Sequence, residues 1–239
     1  MSVQGALLFA RYAYPPNELG YCGPDGAAAL LRADRPAEIA RRARGFEGAW
    51  AYLEFLAGAA GIADPLDTAV VQAYWIGNEL LELVDPAALV EFLRDRFRGQ
   101  LGGTWQDAGE RASAQHSFQV FEVYPWASML RRTGNPAAVS VLDRCRIRTG
   151  TVLAVTGETA TVRAEPLIWA GGALTPGPAV EEVVRWASGG RSLLATPVPG
   201  DRVSLHWDWM CDVITPAQEA RLGGLEARWR DLARRPTAA

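Results

Sequence analysis

Apolar positions recur at helical spacing through the first part of the chain and at strand spacing through much of the rest. Asp25 is placed to cap a helix over residues 26–31, behind the turn-rich Tyr14-Pro15-Pro16-Asn17 and Cys22-Gly23-Pro24. Pro36 suits the first turn of a helix over residues 37–46, and Trp50, Leu53 and Leu56 fall three apart on one face of the next. Asp67 caps a longer segment carrying Val70, Val71, Tyr74, Trp75, Asn78, Leu81 and Leu83. Pro86 opens another helix, with Leu89, Phe92, Leu93 and Phe97 on one side. Residues 99–111 read as a polar connector. Residues 115–132 predict a helix with a defect at Pro125, and residues 136–142 a final short one.

After Arg144 the period changes to two. Residues 151–155 and 159–163 predict strands joined at Gly157. Residues 180–186 and 192–196 predict a second hairpin turning at Gly189-Gly190, and residues 202–206 and 211–214 two further strands. Pro216 then starts a charged amphipathic helix ending near Arg235. Short strands, glycine turns and a closing helix predict a small barrel. The expected fold is therefore α+β: an all-α domain over residues 1–143, then an OB-like β-barrel with a C-terminal helix over residues 144–239.

Composition narrows the function classes. Nearly half of the 239 residues are hydrophobic, enough for a sizeable core. A net charge of -3 argues against a nucleic-acid partner, although every basic residue is Arg. No run approaches ~18 apolar residues, so no membrane partner is expected. The N-terminus lacks the basic flank of a signal peptide. The three cysteines, Cys22, Cys145 and Cys211, form no CxxC pair, which fits reduced thiols and a cytoplasmic location. No GxGxxG, P-loop, nucleophile elbow or HExxH is present, so binding is expected and enzymatic turnover is not.

The segment Cys145-Arg-Ile-Arg-Thr-Gly150-Thr-Val152 has a Cys followed five residues later by Gly and then a strand. Gly157-Glu-Thr-Ala160-Thr-Val162 gives a second strand, and Gly200-Asp201-Arg-Val203-Ser-Leu205-His206 a third motif, with Ile214 eight residues past His206. In this order the motifs resemble the HypC/HupF family of [NiFe]-hydrogenase maturation chaperones, over roughly residues 144–225. The chain departs from that family in four ways: Cys145 is internal instead of N-terminal, Thr149 stands where the family has Pro, Asp208 stands where it has Gly after the His, and residues 166–197 form a Gly- and Pro-rich insertion.

The resemblance implies an accessory or maturation chaperone for a [NiFe]-hydrogenase. Its partners would be the large-subunit precursor and a HypD-like iron carrier. The implied metal residues are Cys145 and His206. No cofactor would be tightly bound, and iron would be held transiently; thiolate and imidazole suit such an ion. Cys145, Gly150, Trp207 and Trp209 are candidate partner contacts. The alternative is an interaction module that has lost any metal role. In the helical domain, Cys22 precedes a helix start, a position that lowers a thiol pKa, and is a further candidate contact. His116, the other histidine, could join Cys22 in a second site.

Overall fold

A computed structural model describes residues 2–99 and 105–234. The helical half begins with α1 (Val3–Glu18), capped by the Ser2 hydroxyl, which accepts from the Gly5 amide at 3.0 Å. Gly5 is there for closeness: a Cβ would come within 1.7 Å of the Leu66 carbonyl oxygen. Next come α2 (Pro36–Ala43), α3 (Glu47–Ala59), α4 (Thr68–Trp75) and α5 (Pro86–Arg96). Asp67 caps α4 as its position predicts, and Asp85 caps α5.

Residues 27–31 form a 3₁₀ turn instead of an α-helix. Gly26 occupies the cap position in the left-handed region, so Asp25 does not cap it. The helix predicted over residues 115–132 is broken into α6 (His116–Phe118), a π-turn (Gln119–Val123) and α7 (Trp126–Thr133). Pro125 is the reason: it cannot donate to the preceding turn, and it serves as the cap of α7. Asn135 then caps α8 (Pro136–Cys145), which runs three residues further than the pattern predicts. Of the polar connector, residues 100–104 lie outside the described residues; Trp105–Asp107 and Gly109–Arg111 are 3₁₀ turns.

The strands are β1 (Arg148–Thr156), β2 (Thr159–Ala164), β3 (Leu167–Ala170), β4 (Ala173–Pro176), β5 (Val180–Arg185), β6 (Arg202–His206) and β7 (Trp209–Val213). A five-stranded mixed sheet runs β1-β2-β5-β7-β6, and β6 pairs antiparallel with β1, so the pairing returns to its start. The link between β5 and β7 is a single parallel pair, Arg185 with Trp209. The insertion contains a separate hairpin, β3-β4, that sequence periodicity did not show. The strand predicted over residues 192–196 is not formed; Ser188 and Arg191 make one isolated bridge. Helix α9 (Pro216–Arg234) follows, and no described helix is long and apolar enough to cross a membrane.

Inside the sheet lies a small core of Val152, Val162, Val184, Val203, Leu205 and Met210. The larger core is shared between the two halves. It joins Phe9, Tyr12, Tyr52, Leu53 and Trp75 of the helical half to Trp207, Trp209, Cys211 and Trp229 of the other. Polar contacts cross the same boundary: Tyr12 to Ser204 at 2.8 Å and Arg11 to Asp212 at 2.7 Å. The change of period at Arg144 thus marks a change of architecture inside one continuous core.

Candidate metal centre

The backbone brings Cys145 and His206 together. Cys145 is the last residue of α8, and Arg148, three residues on, is opposite Leu205 in the antiparallel pairing of β1 and β6. The helix end is fastened to the β6–β7 turn by the Trp207 amide, which donates to the Arg144 carbonyl at 2.7 Å. That satisfies one of the carbonyls a helix C-terminus leaves open. Trp207 itself has φ 56°, the sole non-glycine residue with positive φ among the described residues. Such strain persists only where its surroundings hold it. Here the buried Arg148 guanidinium donates to the Trp207 carbonyl at 2.6 Å and also pairs with Glu182.

His116 enters from the helical half. Gln115 caps α6, accepting from the Ser117 amide at 2.6 Å and reaching the Trp75 carbonyl with its amide nitrogen. This places His116 against Trp75 and His206, with ring centroids 4.7 and 5.1 Å away. One ligand atom from each of His116, Cys145 and His206 lies within 4.8 Å of the others. The three residues are 5%, 8% and 1% exposed.

Hydrogen bonds fix the state of each ring. A carbonyl only accepts, so His206 Nδ1 carries the proton it gives to the Tyr12 carbonyl at 2.8 Å. His206 Nε2 then presents a bare lone pair, buried and without a hydrogen-bond partner. A ring oriented by Nδ1–H on a backbone carbonyl is the arrangement that supports a ligating histidine. His116 donates from Nε2 to the Cys145 carbonyl at 2.8 Å and faces the Tyr74 hydroxyl through Nδ1 at 3.3 Å.

Burial sets the charges. It pushes His116 down to about 4, against the raising effect of the Cys145 carbonyl, and drives His206 well below its ordinary value, helped by the neighbouring His116. Burial pushes the Cys145 thiol up to about 12. The metal-free cluster is therefore neutral: two imidazoles and a thiol. A bound cation reverses the thiol's preference, because a coordinating thiol loses its proton.

The cluster lines one wall of a cavity of about 320 Å³, whose other walls include Tyr21, Cys22, Phe46, Tyr124, Trp126 and Trp207. None of the residues lining it carries a formal charge at neutral pH. Tyr21, 62% exposed, stacks on Trp207 with ring centroids 4.4 Å apart and forms part of the rim. Cys22 belongs to this cavity and not to a second site of its own. Its thiol is not activated by the following turn; burial pushes it up to about 12.

The matched family covers nearly all of this structure. A family model described as a family of unknown function, DUF6390, matches residues 1–235. The chain belongs to the DUF6390 family. The match spans the helical half, the sheet and α9, so the DUF6390 model includes all three clustered residues. No curated protein and no solved structure matches this DUF6390 chain.

The remaining sequence candidates fall elsewhere. Gly150 lies in β1, where a Cβ would sit 3.1 Å from the Arg163 carbonyl oxygen; close packing explains it. Trp209 is buried against Tyr14, with ring centroids 4.6 Å apart, and the Arg185 guanidinium covers it. Cys211 is fully buried. Sequence reasoning passed over His116 as a companion of Cys145 and His206. The available signal was its rarity: the chain has only two histidines, and both are in this site.

Proposed function

We propose that this DUF6390 chain is an accessory protein of [NiFe]-hydrogenase maturation that handles a metal ion by binding, without turnover. The observation that carries the reading is the meeting of Cys145 with His206, whose Nε2 lone pair is unengaged. These are the two residues to which the HypC/HupF resemblance assigns the metal. The closed order of strand pairing followed by a helix supports the OB-like barrel that the same resemblance implies. The iron would be cargo, held between Cys145 and His206 and passed to a large-subunit precursor, with a HypD-like protein as its source.

The helical half changes how such a barrel works. It covers the face that carries Cys145, so a partner reaches the cargo through the cavity rim at Tyr21 and Trp207. The helical half is then part of the docking surface.

The test is affinity capture of the full-length protein from its native host under anaerobic conditions, with identification of co-purifying proteins and metals. Recovery of a hydrogenase large-subunit precursor, weakened by Cys145→Ala, is the expected result. Capture of no hydrogenase component overturns the maturation role.

A second reading is an interaction module without metal. It is favoured by His116, whose ring already joins the Cys145 carbonyl to Tyr74 and ties the halves together unaided. Iron binding that survives both Cys145→Ala and His206→Ala would leave this reading in place.

A further inference from the structure

A Cys and a His hold only two positions of a metal ion, and two ligands bind weakly. The cluster offers a third. Tetrahedral ligands at ~2.0–2.3 Å from one ion lie roughly 3.3–3.6 Å apart. The three ligand atoms are already within 4.8 Å of one another, so a contraction of at most about 1.5 Å closes the set. Among the described residues, no carboxylate and no second thiol joins this group. Cys22 lines the same cavity but lies outside the cluster.

We infer that the helical half completes the centre: His116 joins Cys145 and His206 as the third ligand of a divalent ion, and the fourth position opens into the aromatic cavity. The inference rests on the reading that Cys145 and His206 handle metal, and adds to it a ligand from outside the barrel. It also assigns the class of the fourth ligand. Two neutral imidazoles and one thiolate leave a divalent ion with a single positive charge. That charge sits in a cavity lined by no charged side chain, where an uncompensated charge is costly. A small monoanionic donor of the size of azide neutralises it, and the cavity of about 320 Å³ admits one.

Binding is a metal-for-proton exchange. The Cys145 S–H proton is released to solvent as the S–metal bond forms. His206 brings its Nε2 lone pair and keeps its bond to the Tyr12 carbonyl. His116 gives up one of its two hydrogen bonds, to Tyr74 or to the Cys145 carbonyl, and keeps the other. The retained bond orients the ring as outer partners of ligating histidines do.

Because the chain has only two histidines, the wild-type protein can be tested directly. Full-length protein with ¹⁵N-labelled histidine is titrated anaerobically with Zn²⁺, and the imidazole nitrogens are followed by NMR. Both rings are expected to shift together at one equivalent, each at one nitrogen. A shift of His206 without His116 overturns the third ligand and leaves the Cys145–His206 pair standing. No shift in either ring overturns both.

In a parallel titration Co²⁺ replaces zinc. A thiolate-to-cobalt charge-transfer band and four-coordinate visible absorption are expected, with the visible bands moving on addition of azide. His116→Gln should weaken cobalt binding by roughly tenfold or more. Bands that ignore azide but change in Cys22→Ala would place Cys22 at the fourth position and overturn the open site.

Discussion

His206 Nδ1 lies 2.8 Å from the carbonyl oxygen of Tyr12, across the boundary between the sheet and α1. Two residues before His206, Ser204 meets the hydroxyl of the same tyrosine at 2.8 Å. Tyr12 therefore holds β6 from its main chain and its side chain together. The orientation of the sheet's only histidine is thus fixed by a helix from the opposite end of the chain.

Arg148 is the support on the other side of the site. Its guanidinium is buried, donates to the Trp207 carbonyl and pairs with Glu182. Arg148→Met would release the turn that holds Trp207 at positive φ and leave Glu182 without this partner. Removing one member of a fully buried pair costs about 3 kcal/mol or more, and because the Glu182 carboxylate is half-buried the loss here should be smaller. Urea unfolding should show this loss, and metal affinity should fall with it as His206 loses its fixed turn. A variant as stable as the wild type would show that the turn holds itself.

The metal-free protein should lose stability on mild acidification. Both histidines have folded pKa values below the unfolded value, His116 at about 4 and His206 also well down. The unfolded chain therefore binds more protons as pH falls. Their contribution is intact above the unfolded pKa of ~6.5 and is lost as pH falls from there towards 4. With both rings titrating only in the unfolded state, the steepest slope is about 2.7 kcal/mol per pH unit. Urea midpoints measured between pH 7.5 and pH 5 should decline, and the decline should shrink in His116→Gln. A flat profile would mean that both rings take up protons in the folded state as they do in the unfolded one.

Thiol labelling should be slow in the native state. Cys22 and Cys145 are both pushed up to about 12 by burial, and Cys211 is fully buried with its thiol raised as well. The thiolate is the nucleophile, so at pH 8 these sites should react with an aromatic disulfide reagent at least ~100-fold more slowly than in urea. Of the three, Cys22 should label first, because it is partly exposed. Rapid native labelling of Cys145 would mean that its environment is wetter than the packing indicates.

Separating the halves should damage both. Residues 144–239 alone would expose Trp207, Trp209, Cys211 and Ile214, which belong to the shared core. An apolar patch of that kind drives association. The fragment should bind a hydrophobic dye and elute as an oligomer, and it should capture a large-subunit precursor less well than the full chain. A monomeric, dye-silent fragment would show that the small core of Val152, Val162, Val203 and Leu205 suffices.

Residue pattern alone determined the division into a helical half and a strand-rich half, because periods of 3.6 and 2 are local properties of the chain. The cap at Asp67, and Pro86 and Pro136 at first helical positions, were legible for the same reason. The pairing of Cys145 with His206 came only as an implication of the HypC/HupF resemblance; the structure places the two side chains near one another. Tertiary structure decided the rest. The β3-β4 hairpin carries too few alternating positions to be read, and its place depends on packing against α8 and α9. The pKa of Cys22 went opposite to its local signal, because desolvation by surrounding aromatic residues outweighs one turn's amides. His116 looked unremarkable among its neighbours. It becomes a candidate ligand because the Gln115 cap, the π-turn after α6 and the folding of the sheet onto α1 carry it to two residues far along the chain. No periodicity encodes such a meeting; it exists only once the shared core has closed.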